Sequence, residues 1–571
     1  MSRFKAVFAV VILAAMVNVV PAHAAVQVKV MIAGSSAMWQ SMALGAYNAG
    51  RCATGGVAPC HHYTGSNFNL TDTRPTLLGG SNNNDPGNIW IVWDNSATTR
   101  HVWAYIKVDS VVGTRCYFAQ PHCNVNISSF PAPANLISNA VWGTTAGDLT
   151  PPAAVSALFT ASPGVFVNVA ATDIRPEDGL FAECRANSVL GGGLDGLDGL
   201  GWGTNGSGVC PSSGTLGQLV GNPIASGLPG SSSMATNLAF NIAGTDPFSG
   251  TAIPVPTTVS VGASPIIFIT SRSGALATVT NGTDAQLQSV FSGANCNASA
   301  LGAPAGVIQA YLREPLSGTM NTTEYTVFRR PNQNGTSQEK GVNAARLSNS
   351  PCSGGGGGRT RVIGTGEAVK GVQNSNANFG MDGIAYAFFS YGNVSSISNS
   401  PNFGYLMLNG VDGIFANYAG GDPGEPGNGT IPGAANLPAS CAGAFPCPES
   451  AIWAGHKSFP NLRAGTYRAW SVLRVVSNGT ALTNIKVLVN QSNGFVVKST
   501  PDYVPFVAVK SGTTTLDAGL PVQRSHYGAG AKNTAPDKGR DEGGCIQKKG
   551  TATINKVQNA PGVACSTFVP H

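Results

Sequence analysis

Residues 313–319 read REPLSGT and stand between an apolar run, 307–312, and a stretch patterned for a helix, 319–328. A Ser-Gly-Thr turn that opens a helix offers unpaired backbone N–H groups and two hydroxyls at the positive end of the helix dipole. That chemistry suits an anion. Gly318 lets the backbone come close to a ligand. Ser317 and Thr319 supply the hydroxyls, and Arg313 adds a planar fork of donors matched to an oxyanion. The same residues also read as a capped helix beside a solvated arginine, because serine and threonine are common caps.

Two other segments carry related chemistry. Residues 31–42, MIAGSSAMWQSM, run from a strand pattern through Gly-Ser-Ser into a helix pattern. Gly34 permits a tight turn there, while Ser35 and Ser36 present hydroxyls and N–H groups; ordinary capping is the alternative. Residues 171–178, ATDIRPED, place Asp173 just after a strand-like run, where open α/β sheets hold their ligands. A carboxylate facing an anion repels it unless one of the two carries a proton, so Asp173 would select a protonated oxyanion. A structural aspartate capping Arg175 or a turn is the plainer reading.

Catalytic constellations are harder to find. The sequence has no GxSxG and no HExxH, and its eight histidines are scattered. An exported phosphatase is therefore kept only as an alternative. The twelve cysteines form no CxxC, and an even count in an exported chain points to disulfides rather than zinc. Spacing suggests the pairs Cys52 with Cys60, Cys116 with Cys123, Cys184 with Cys210, Cys441 with Cys447, and Cys545 with Cys565. Cys296 and Cys352 are then left for each other. A net charge of +6 on 571 residues is too weak to imply nucleic acid or an anionic membrane as partner.

The elements that must position these residues alternate in type. Strand-like runs recur at 26–32, 89–93, 101–108, 165–169, 264–270, 307–312 and 485–489. Helical patterns fall at 36–48, 284–291, 319–328 and 463–474. Such alternation favours an α/β fold. Residues 64–87, 190–213, 353–359 and 420–433 read as loops or insertions, and the chain from about residue 513 as an extended tail. The GLDGLDG repeat within 190–213 lacks the ligand set of a calcium loop.

Residues 1–24 have the form of an export signal. Arg3 and Lys5 precede an apolar run, 6–20, and Ala22 and Ala24 supply the small residues before a cleavage point at Ala25. The run is short for a membrane span, which needs about 20 residues. The expected location is periplasmic or secreted.

The three anion-suited segments, in this order, resemble those of the phosphate-binding proteins that serve bacterial ABC uptake systems. That family carries G-A-G-[AS]-[ST], S-D-x-P and R-x-x-x-S-G-T; here the segments read AGSSAM, TDIRP and REPLSGT. TDAQLQSVFSGANC, VPTTVSVGASPIIFITSRSG, FGMDGIAYAFFSYG and SFPNLRAGTYRAWSVL resemble further family landmarks in the same order. The resemblance implies a two-lobed type 2 periplasmic-binding-protein fold with a ligand cleft between the lobes and large loop insertions. It implies a first lobe from 25–271 and 401–512, a second from 272–400, and an extension over 513–571. Phosphate would be held by Ser36, the Ala37 N–H, Asp173, Arg313, Ser317, Gly318 and Thr319, with Ser110 and Gly113 in VDSVVGTRC standing for a further family turn. A monomer working with an ABC permease is expected, with no enzyme activity, metal or cofactor. A secreted structural or adhesive protein that kept the fold and lost the ligand is the other alternative.

Overall fold

The computed structural model describes residues 25–49, 60–79, 81–96, 98–144, 146–179, 182, 240–314, 316–328, 342, 347–390, 402–420, 427–431, 457–498, 501–524, 546–549 and 556–558. β1 (Ala25–Gly34) leads into α1 (Trp39–Ala49). A hairpin of β2 (His61–Asp72) and β3 (Asn83–Trp93) precedes β4 (Thr99–Lys107) and α2 (Ser110–Phe118). β5 (Val169–Thr172) and the long β6 (Thr257–Ser271) follow. Then come α3 (Asp284–Phe291), β7 (Ile308–Arg313), α4 (Gly318–Thr323), β8 (Gly358–Val362), α5 (Gly364–Phe379), β9 (Asp382–Phe388) and β10 (Phe403–Leu408). β11 (Trp470–Ser477) and α6 (Gly479–Lys498) complete the elements used below.

These strands make two mixed sheets that share β6. In the first, the order is β11-β5-β1-β4-β3-β2, with β1 parallel to both β5 and β4. In the second, the order is β8-β7-β9-β6-β10, with β7 parallel to both β8 and β9. Residues 257–265 of β6 pair with β11, and residues 266–270 pair with β9. One strand therefore passes from one lobe into the other. At the crossing Ile266 N donates to Ala469 O at 2.7 Å and Phe389 N to Pro265 O at 2.8 Å, so three segments join the lobes at one level. The fold is α/β and two-lobed, as the sequence resemblance implies.

Apolar residues explain why each sheet is covered on both faces. β1 becomes continuously buried from Val30 onward, as a central parallel strand should. On one face Met38 from the turn before α1, Met42 from α1 and Leu488 from α6 pack with Trp90 and Tyr105. On the other, Val111, Val112 and Cys116 from α2 pack with Met31, Ala33 and Ile89. α1 and α6 touch closely at Gly45, where a Cβ would lie 2.2 Å from Ser492 Oγ.

Disulfides join Cys116 to Cys123, as spacing suggests, and Cys296 to Cys352, the pair left over. Cys60 is also disulfide-bonded. Cys52, Cys184, Cys210, Cys441, Cys447, Cys545 and Cys565 lie outside the described residues, as do the export-signal residues 1–24 and the loop at 190–213.

Several expectations about local structure are corrected. The polar stretch 64–87 is mostly the β2–β3 hairpin, because its charged residues are buried and paired. Arg74 meets Asp72 and Asp246 at 2.8 Å each, Arg115 meets Asp85 at 2.5 Å, and Phe68 and Leu70 fill the core. Residues 485–489 lie inside α6 rather than in a strand: Ile485, Leu488 and Val489 are its buried stripe. Residues 463–474 are not a helix; a short turn of helix at Pro460–Ala464 ends at Gly465, and β11 begins at Trp470. The stretch 319–328 is α-helical only to Thr323 and continues as a π-helix over Glu324–Phe328. Gly358 and Arg359, read as loop, open β8. The start of the C-terminal extension is packed rather than free: Val522 is buried, and the Arg524 guanidinium lies 4.4 Å from the centre of the Trp470 ring.

Candidate functional site

Four strand-to-helix turns and the end of β5 meet where the two lobes face each other, all at the carboxyl ends of parallel strands. The first is the turn from β1 to α1. Gly34 has φ +137°, and a Cβ there would lie 1.9 Å from Ala171 O, so only glycine fits between β1 and β5. That close approach aims Ser35 at the end of β5, where its hydroxyl donates to the Asp173 carboxylate. Ala37 N donates back to Ser35 Oγ at 3.1 Å. Tyr105 OH donates to Ser35 O, and burial followed by the Asp173 charge pushes its phenol well above the ordinary range.

The second turn, from β4 to α2, brings Asp109 and Ser110. Asp173 N donates to Ser110 Oγ at 3.3 Å. Asp109 is the N-cap residue of α2, yet its side chain does not cap that helix. Gly113 packs α2 against β1, since a Cβ there would lie 2.3 Å from Ala33 O.

The third and fourth turns belong to the other lobe. Arg313 ends β7, with 2 % of its surface exposed. Its Nη1 donates to Thr319 Oγ1 at 3.3 Å and Thr365 Oγ1 at 3.2 Å. Its Nη2 donates to Asp109 Oδ1 at 3.0 Å and Glu314 Oε1 at 2.9 Å. The Arg313 backbone N donates to Tyr386 OH at 3.2 Å, which fixes the end of the strand. Arg313 Nε is buried with no hydrogen-bond partner among the described residues. Arg272 and Arg468 likewise carry a buried Nε with no hydrogen-bond partner among the described residues, so what sets Arg313 apart is that its Nη donors reach groups of both lobes.

Burial opposes the charge on Arg313, but Glu314 and Asp109 outweigh it and raise its pKa above the ordinary arginine value. Burial likewise opposes ionisation of Glu314, and Arg313 overcomes it, so its pKa is lowered. The guanidinium is a fixed positive charge in a water-poor setting.

The two halves touch. A Cβ on Gly318 would lie 2.6 Å from Ser110 Oγ and 2.9 Å from Asp173 Oδ2. Ser36 Oγ donates to Thr365 Oγ1 at 3.3 Å, and Val111 N to Leu316 O at 3.3 Å. The structure thus gathers Ser36, Ala37, Ser110, Asp173, Arg313, Gly318 and Thr319 from segments up to 283 residues apart (Ser36 to Thr319). Ser317 lies in the same turn, but its hydroxyl accepts from Met320 N at 3.3 Å and caps α4.

Sequence reasoning did not single out Asp109, Glu314 or Thr365. Thr365 had a readable signal: VIGTGEA runs from strand through Gly-Thr into helix, the pattern used for the other turns. Asp109 and Glu314 had only their places beside Ser110 and Arg313. Among the described residues no group of three His, Cys, Asp or Glu side chains is arranged to hold a metal ion, and no helix is long and apolar enough to cross a membrane.

The chain is similar to solved phosphate-binding proteins. One is a putative phosphate ABC transporter substrate-binding protein from Clostridium perfringens, with bound phosphate. It is 15% identical, with 43% of this chain and 72% of that chain covered, at a TM-score of 0.25. A human phosphate binding apolipoprotein is 12% identical, with 82% and 87% covered, at a TM-score of 0.31. A phosphate binding protein from Stenotrophomonas maltophilia is 14% identical, with 70% and 80% covered, at a TM-score of 0.27. No protein-family model matches the chain, and no curated protein does.

Proposed function

We propose that this chain is an exported solute-binding protein that holds a small oxyanion, phosphate first, between its two lobes. The observation that carries the reading is Arg313: a buried guanidinium at the end of β7, with an orphaned Nε and neighbours from both lobes. Around it stand the Ser35 and Ser36 turn, Ser110, Thr319 and Thr365, a set of hydroxyls and turn N–H groups suited to a tetrahedral anion. Ser36, the Ala37 N–H, Ser110 and Asp173 would contact the guest from the first lobe, with Asp173 accepting its proton. Arg313, Ser317, Gly318 and Thr319 would clamp it from the second. Closure about the crossing at Pro265 would couple occupancy to shape, and a permease would read that shape.

Calorimetry on the chain from Ala25 onward tests this directly. Inorganic phosphate should bind, and Arg313→Ala should abolish binding. Sulfate binding without phosphate binding would replace the ligand and keep the class; binding of neither would end the proposal.

A further inference from the structure

Arg313 meets a carboxylate from the opposite lobe, and that carboxylate belongs to a residue whose usual work lies elsewhere. An aspartate at a helix N-cap ordinarily accepts from the second or third N–H of its own helix. Asp109 stands at that position in α2 with extended backbone angles, φ −85° and ψ 158°, and makes no such cap. Its Oδ1 instead accepts from Arg313 Nη2 at 3.0 Å, across 204 residues of sequence. Both side chains are almost wholly buried, at 2% and 3% exposure.

We infer that Asp109 is an internal anion that competes with the ligand for Arg313 and latches the two lobes together. The inference rests on the oxyanion-binding reading for its ligand and on geometry alone for the latch. Arg313 has four Nη hydrogens, and in this structure they face Thr319, Thr365, Asp109 and Glu314. Only Nε is left over. A tetrahedral oxyanion taking two parallel bonds from a guanidinium needs two donors on one edge, here Nε with an Nη. The Nη2 edge is the one Asp109 and Glu314 hold. Glu314 is the next residue in the chain and belongs to the same lobe, and Gly364 N also donates to it at 3.4 Å. Asp109 is the partner that lobe movement can withdraw.

Three neighbouring contacts would part with it. Ser36 meets Thr365, Val111 N meets Leu316 O, and Gly318 packs on Ser110 and Asp173. In none of them do two opposite charges meet. The Asp109–Arg313 pair is the ionic member of the set, and a buried pair is costly to break by removing one partner alone. An oxyanion that replaces the Asp109 carboxylate leaves Arg313 paired, so the exchange is one anion for another. Chloride, a point charge with no second oxygen, gains less from a planar fork. Asp109 is thus a specificity-determining residue: it sets how good an anion must be before Arg313 changes partner. A latch that is closed most of the time reduces apparent affinity by the fraction of molecules competent to bind.

The test compares the chain from Ala25 onward with Asp109→Asn, and with Asp109→Ser in case the first variant does not fold. Inorganic phosphate is titrated by calorimetry, and the radius of gyration is measured by small-angle scattering before phosphate is added. The latch predicts affinity tighter by about tenfold or more in the variants, together with a larger radius of gyration before addition. Weaker or unchanged affinity, with the radius unchanged, overturns it and leaves Asp109 as a residue that merely orients Arg313. If neither protein binds phosphate, the oxyanion reading falls and scattering alone decides the latch: a larger radius in the variants keeps it, and an unchanged radius ends it.

Discussion

Arg313 of the second lobe donates to Asp109 of the first at 3.0 Å, with both side chains buried, so the charge at the centre of the site is also a tie between the lobes. Removing the guanidinium should therefore affect more than the ligand. In Arg313→Ala, Asp109 and Glu314 lose the cation that justifies their burial, and breaking such a pair costs about 3–5 kcal/mol. Chemical denaturation at neutral pH should show a loss in that range, alongside the loss of phosphate binding.

The same pairing fixes a pH dependence. Glu314 titrates in the fold below its ordinary value of 4.5, because Arg313 outweighs the effect of burial. A carboxyl with a lowered folded-state pKa contributes stability that is fully present above the unfolded value and disappears as pH falls through the folded one. Stability should accordingly decline on acidification below about pH 4.5. Arg313→Ala should flatten that decline, since the largest cause of the lowering is gone while the hydrogen bond from Asp109 stays. Thermal midpoints of both proteins from pH 7 to pH 3 would show it; parallel curves would refute the assignment.

Gly318 offers a test of interlobe closeness that leaves charge untouched. A Cβ at this position would sit 2.6 Å from Ser110 Oγ and 2.8 Å from Asp173 Cβ, well inside van der Waals contact. Overpacking of this sort costs about 1–3 kcal/mol. Gly318→Ala should lower thermal stability by that amount, read as a fall in the thermal midpoint. An unchanged midpoint would mean that the two lobes do not approach each other this closely at Gly318.

Much of this site could be read in the sequence because its parts are local. A strand running into Gly-Ser or Ser-Gly and then a helix is a short-range pattern, and it marked Ser36 and Gly318 with its neighbours. What could not be read was long-range. Nothing near Asp109 announces that it will decline its own helix and reach a residue 204 positions away. Burial also hid the β2–β3 hairpin: Asp72, Arg74 and Asp85 look like solvated loop residues until they are seen paired with each other and with Arg115. The run at 485–489 shows the opposite failure, for five mostly apolar residues carry no periodicity that separates a strand from a buried helix face.

Gly34 makes a sharper prediction than Gly318 does. Its φ of +137° is barred to residues with a side chain, and a Cβ would meet the Ala171 carbonyl oxygen at 1.9 Å. Backbone oxygen cannot step aside as a flexible side chain could. Gly34→Ala should cost about 3 kcal/mol or more, combining strain with a backbone clash. It should also separate Ser35 from Asp173, so that any protein surviving expression binds phosphate poorly. Denaturant midpoints and calorimetry on the same preparation would check both halves.

Lys107 gives the last prediction, and its sign runs opposite to that of Glu314. It ends β4 beside Gly34, half-buried, with its ammonium 4.4 Å from the centre of the Trp39 ring. Burial, and then the charge of Lys370 on α5, pull its pKa from 10.5 down to about 8. Between those two values the unfolded chain keeps a proton that the folded chain has released. The unfolded state binds more protons there, so this group's contribution makes stability rise as pH rises from about 8 to about 10.5. Below that window the cost of a charged Lys107 is fully felt, and above it the cost is gone. Buried tyrosines such as Tyr105 and Tyr386 titrate high and work the other way at the alkaline end, so the informative quantity is a difference. Lys107→Met should be more stable than the parent at pH 7, with the advantage shrinking as pH rises through the window. A constant difference between the two unfolding curves would show that Lys107 keeps its ordinary pKa in the fold.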